Sequence, residues 1–144
     1  MKKLIIAAAM FVSMSAFAGK ESVNEKVLNA FKTEFVNANQ VEWTISPDYF
    51  KASFDLNGQR VFAFYNTDGE LMGLSRNIAS SQLPVKLQAS LKNNYKGFWI
   101  SDLFEMSNNN GTSYYVTLEN GSNKVILRST SGIEWSTYKK DRKI

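Results

Sequence analysis

The sequence predicts an α+β fold in which a helix followed by a four-stranded antiparallel meander is duplicated in tandem, with the helices on one side of the sheet. Three observations predict it. Two stretches carry apolar residues at helical spacing, and each is followed by four short runs rich in aromatic and β-branched residues. Turn residues separate the runs: Pro47-Asp48, Asn57-Gly58 and Asp68-Gly69 recur in order, at one constant offset, as Asn110-Gly111, Asn120-Gly121 and Ser131-Gly132. The helical stripes correspond as well, Val27/Phe31/Phe35 with Leu87/Leu91/Tyr95.

The chain opens MKKLIIAAAMFVSMSAFAGK. Lys2 and Lys3 make a positive start, Leu4 to Val12 an apolar run, and Ala16-Phe17-Ala18 a small-residue cleavage site, so residues 1–18 read as a secretory signal peptide. That run is too short to span a bilayer, and no later stretch is long and apolar enough. Cleavage near Ala18 leaves residues 19–144 as a single domain expected in the periplasm or outside the cell. Its halves are expected at about 20–79 and 80–138, with a short basic tail over 139–144. The chain has no cysteine, so burial and sheet pairing must hold the exported domain, and no lipid anchor can attach through a thiol.

Ser22-Val23-Asn24-Glu25 reads as a capping box opening the first helix, which should stop around Asn37 to Asn39. The runs VEWTIS, YFKASF, RVFAFYN and ELMGLS are the first four strands. Pro84 suits the first residue of the second helix, where its missing N–H is harmless, and Gly97 can end that helix. WISDLFEM, TSYYVTL, KVILRS and IEWSTY supply the remaining strands.

Register decides which side chains face the helix. A three-residue loop with a glycine bulge at Leu56-Asn57-Gly58 sets Phe50, Ala52, Phe54, Phe62, Phe64, Met72 and Leu74 on one covered face. A two-residue loop scatters the aromatics over both faces. Since exposing a large apolar side chain forfeits about 1.5–3 kcal/mol, the bulged register is expected. In the second half, Tyr114, Val116, Leu118, Val125, Leu127 and Trp135 are expected to be covered. The open faces then carry Tyr49 across from Tyr65, and Arg128 across from Glu134.

Formal charge is +4, but Lys2 and Lys3 leave with the leader, and Lys139, Lys140, Arg142 and Lys143 sit in the tail. The body between is slightly acidic. No basic stripe covers the fold, so nucleic acid is not an expected partner, and the tail reads as a solvated, frayed end. The absence of histidine and cysteine removes Ser-His-Asp and Cys-His catalysis and the zinc sites that use those ligands. No glycine-rich phosphate loop is present. The expectation is a non-enzyme without a cofactor; an enzyme using paired carboxylates is the third reading.

DLNG and NTDGE each supply a fragment of a calcium loop, but Asn-Gly and Asp-Gly are also the strongest hairpin signals. The turn reading is the stronger, because the corresponding turns Asn120-Gly121 and Ser131-Gly132 carry no acid. A weak calcium site formed where Asp48, Asp55, Asp68 or Glu70 converge at a sheet edge is the alternative. The leading functional reading is a protein-binding or inhibitor-like module. It presents Tyr49, Lys51, Tyr65, Tyr115 and Arg128 to an envelope protein or peptide, since tyrosine and arginine bury large area with few rotors to freeze.

The frame AF-x3-F-x-NA-x2-VEW (Ala30 to Trp43), then YFKASFDLNGQRVFAFYNTDGEL, then Leu83-Pro84, resembles the bacterial β-lactamase-inhibitor-like, PepSY-like family of exported proteins. The resemblance covers about residues 27 to 85 in sequence and the remainder in layout. It implies a tandem α-β4 fold, a periplasmic or secreted location, no known catalysis, and a sheet surface that serves for binding. It transfers no inhibitor contact residue to a position of this chain.

Overall fold

The computed structural model describes residues 23–144. The leader, its cleavage site at Ala18 and Ser22 of the expected capping box lie outside the described residues. Helix α1 (Glu25–Glu34) is followed by strands β1 (Asn39–Ile45), β2 (Phe50–Leu56), β3 (Gln59–Tyr65) and β4 (Leu71–Asn77). A 3-10 turn (Ser80–Gln82) leads to α2 (Val85–Asn94), then β5 (Trp99–Asn108), β6 (Gly111–Glu119), β7 (Asn123–Ser129) and β8 (Ser136–Arg142). Helix and four strands thus occur twice, and the eight strands hydrogen-bond in sequence order as one antiparallel sheet. The chain divides into two compact units between Leu74 and Ser75, within β4.

In unit 1 the cap of α1 is Asn24, whose side-chain oxygen accepts from the Val27 N–H at 2.9 Å. Its Nδ2 donates to the Thr67 carbonyl at 3.0 Å, tying the helix start to the β3–β4 turn. Val23, Val27 and Phe31 are buried against Phe50, Ala52, Phe54, Ala63 and Tyr65. Each large side chain taken out of water there contributes about 1.5–3 kcal/mol.

The expected bulged register is not found. Phe54 pairs with Val61 and Leu56 with Gln59, leaving Asn57-Gly58 as a two-residue loop. Both loop residues have positive φ, +52° and +78°, as a type I′ turn requires. That turn matches the right-handed twist of the paired strands, and the local chemistry overrides the one-face pattern. Phe62 and Phe64 therefore lie on the face away from α1, yet Phe64 is fully buried.

In unit 2, α2 starts after Pro84, whose carbonyl accepts from the N–H groups of Leu87 and Gln88. Leu87 packs with Leu103, Val116, Leu118, Val125 and Leu127, the covered set the alternation implies, with Tyr114 and Trp135 against it. Trp135 precedes β8 rather than lying inside a strand: its indole N–H donates to the Leu87 carbonyl at 3.1 Å and pins the chain to α2. Strand β8 consequently runs from Ser136, and the expected frayed tail is replaced by strand through Arg142. Lys139, Lys140, Asp141 and Arg142 all pair with β7. Charged side chains suit this position because β8 is the outer strand of the sheet. Lys143 is also held, with its ammonium 2.8 Å from Glu119 and 4.8 Å from the Trp99 ring centre.

Candidate binding face

The face of unit 2 turned away from α2 carries a row set by strand register. Phe104 pairs with Tyr115, and Tyr115 with Arg128. The Phe104 and Tyr115 rings stack at 4.9 Å and 12°, and Tyr138 meets Tyr115 edge-on at 5.5 Å. The Arg128 guanidinium lies 5.4 Å from the Tyr138 ring centre, within cation–π range. Among the described residues Arg128 has no carboxylate partner. Its cross-strand neighbour is Ser136, not the expected Glu134, because Glu134 belongs to the turn, where its N–H donates to the Ser131 hydroxyl. Tyr115 is only 6% exposed. It supports the row from beneath, and Arg128 and Tyr138 are the accessible members.

On unit 1 the face away from α1 aligns Thr44, Lys51 and Phe64, with Glu42, Ser53 and Phe62 beside them. Tyr49 packs edge-on against Phe64 at 5.6 Å and is 7% exposed. Lys51 places its ammonium 5.5 Å from the Phe62 ring centre, and burial pushes its pKa below the ordinary lysine value. Tyr65 is not on this face. The two-residue loop turns it under α1, where it is fully buried, so the expected pairing with Tyr49 does not occur. Its phenol pKa is pushed up, first by burial and then by the nearby Glu34 carboxylate.

The acids proposed for calcium do not converge. Asp48 sits at the β1–β2 turn and Asp55 at the opposite end of β2, where Arg60 holds it at 3.1 Å while also binding Glu42 at 2.9 Å. The Asn66–Glu70 turn satisfies itself. The Asn66 side-chain oxygen accepts from the Asp68 and Glu70 N–H groups, and its Nδ2 donates to the Glu70 carboxylate at 2.8 Å. Asp68 is exposed at that turn, and among the described residues no three acids gather as a metal site. No helix among the described residues is long and apolar enough to cross a membrane.

Sequence reasoning missed Phe104 as a member of the row. Counting back along β5 from the Asn109-Asn110 turn, where Asn108 pairs with Gly111, places it opposite Tyr115.

No protein-family model matches the chain, and no curated protein matches it. Solved structures do. A BLIP-like protein from Bacteroides fragilis aligns with a TM-score of 0.69 at 19% identity, over 83% of this chain and 85% of that one. The chain has the BLIP-like fold. A DUF2874 family protein from Bacteroides uniformis shares the BLIP-like fold with it at a TM-score of 0.72 and 15% identity, over 83% of this chain and 88% of that one. So does a protein from Bacteroides eggerthii, provisionally described as periplasmic, at 0.72 and 14%, over 83% and 88%. The BLIP-like fold is the one the sequence resemblance implies; at these identities the backbone plan is what is shared.

Proposed function

We propose that the chain is a non-enzymatic, exported binding module that takes an envelope protein or peptide at Arg128 and Tyr138, the accessible part of the face of its second unit turned away from α2. The observation that carries this reading is Arg128, a cation without a carboxylate partner among the described residues, laid on Tyr138 above the stacked Phe104 and Tyr115. A rigid aromatic floor with an arginine on top is the composition of an interface anchor, and the partner it fits presents a carboxylate beside an apolar group. The leader, residues 1–18, supports export. The like ends of the two helices support reading the halves as a tandem duplication.

The test is affinity capture from the native periplasm with the wild type and with Arg128→Ala and Tyr138→Ala. Both side chains are partly exposed, so circular dichroism should stay unchanged while partner affinity falls by about 2 kcal/mol, the scale of an interface anchor. Recovery of the same partner at the same level by all three proteins refutes the reading.

A further inference from the structure

In unit 1 three phenyl rings fill the space under the C-terminal end of α1. Phe31 and Phe54 lie 5.0 Å apart, Phe35 and Phe54 4.9 Å, and Phe31 and Phe35 5.5 Å. The corresponding positions of unit 2 can be assigned from backbone geometry. Phe35 and Tyr95 are each the C-cap of their helix, donating their N–H groups to Phe31 and Leu91 respectively. Phe54 precedes Asp55, which pairs with Asn39 at a bulge; Leu118 precedes Glu119, which pairs with Trp99 next to a bulge. Two phenyl rings of unit 1 are therefore leucines in unit 2.

The Phe98 ring, where unit 1 has Ala38, takes part of that space, and a cleft remains beside it. A cleft of about 550 Å³ is lined there by Leu91, Tyr95, Phe98, Ile100 and Leu118. Its only charged lining residues are Lys92 and Lys96, both exposed. Lys92 lies in the last turn of α2 and Lys96 just past its C-cap Tyr95, so both cations line the cleft at that end of the helix, where an anion would be favoured. The volume falls in the range of small-molecule sites, and the lining is mostly apolar, with Ser80 and Gln88 as its neutral polar side chains and charge of one sign.

We propose that this cleft binds a single-chain carboxylate amphiphile, a fatty acid, with its alkyl chain against Leu91, Phe98 and Leu118 and its carboxylate between Lys92 and Lys96. This site is separate from the Arg128 row and does not depend on the function proposed for it.

The test titrates residues 19–144 with sodium dodecanoate below its micelle threshold, read by calorimetry and amide NMR shifts, with dodecyltrimethylammonium as the cationic control. Saturable one-site binding is expected, with shifts confined to α2, residues 95–100 and the end of β6, and without comparable binding of the cation. Lys92→Gln with Lys96→Gln should weaken dodecanoate roughly tenfold, what two solvent-edge ion pairs supply together. Leu91→Phe with Leu118→Phe restores the rings of unit 1 and should abolish binding. If that refilled variant does not fold, the lysine variant decides alone. Absence of saturable binding, equal affinity for the cationic amphiphile, or unchanged affinity in the lysine variant overturns the proposal.

Discussion

Replacing Tyr65 with phenylalanine should stabilise the protein. The Tyr65 side chain is fully buried under α1, and its hydroxyl has no hydrogen-bond partner among the described residues. An unpaired buried hydroxyl costs about 1–3 kcal/mol by mutational measures. Removing one oxygen leaves a void smaller than a methyl group, which takes back less than about 1 kcal/mol. The net expectation is a gain of about 1 kcal/mol, or a Tm rise of roughly 4 °C in a domain of this size. A second signature follows from titration. Burial and Glu34 raise the folded phenol pKa above its unfolded value of about 10. Above that pH the native state holds the proton more tightly than the unfolded chain, so the Tyr65 contribution to stability is constant below pH ~10 and falls as pH rises beyond it. Tyr65→Phe should lack this part of the alkaline decline. Thermal melts by circular dichroism at neutral pH and in the alkaline range measure both effects. A lower Tm for the variant at neutral pH, with an unchanged alkaline slope, would refute the reasoning by showing that the hydroxyl is satisfied.

Three further outcomes test the corners of the fold. Gly69 has φ +83° and a Cβ there would lie 2.8 Å from the Lys26 carbonyl oxygen, whereas Gly58, at φ +78°, has nothing within 4 Å. Gly69→Ala should therefore cost at least about 2 kcal/mol and Gly58→Ala only about 1, and equal losses in urea denaturation would contradict the close approach. Asn24→Ala removes both the cap of α1 and the bond to Thr67 and should cost about 1–2 kcal/mol, read in the same melts. Because Asp55 is paired with Arg60 and no acid cluster forms among the described residues, millimolar calcium and EDTA should leave the Tm unchanged. A calcium-dependent rise would revive the metal reading.

Element order was legible because each helix and most strands carry a local signature that needs no tertiary information. The Val27/Phe31 and Leu87 stripes, Pro84 and the glycine corners are signals of that kind. What failed depended on counting through a turn or on what covers a surface. Asn57-Gly58 is the strongest two-residue hairpin signal, yet the expectation of a single buried face argued for a bulge; the turn prevails because Phe64 is buried on the face away from α1 as well. With the register goes the site: a shift of one residue carries Tyr65 from the open face into the core. The basic end departs from the expected frayed tail for a related reason. Trp135 looks like a strand residue by type, but its indole bond to the Leu87 carbonyl makes it an anchor, and β8 starts one residue later with lysines on an outer strand.

Lys51 lies on the face of unit 1 expected for it, and a second set lies on the face that the alternation of β6 and β7, plain in the sequence, gives it. Arg128 belongs to that set, while its expected partner Glu134 does not, since it lies beyond a turn that register counting from β7 could not resolve. The unpaired state of Arg128 is therefore a product of the Ser131-Gly132 turn. That turn holds the Glu134 backbone through the Ser131 hydroxyl and, among the described residues, leaves the guanidinium the Tyr138 ring. A chain that paired Arg128 internally would have a quieter surface; this one keeps the cation on the Tyr138 ring, and that is the contact the proposed function rests on.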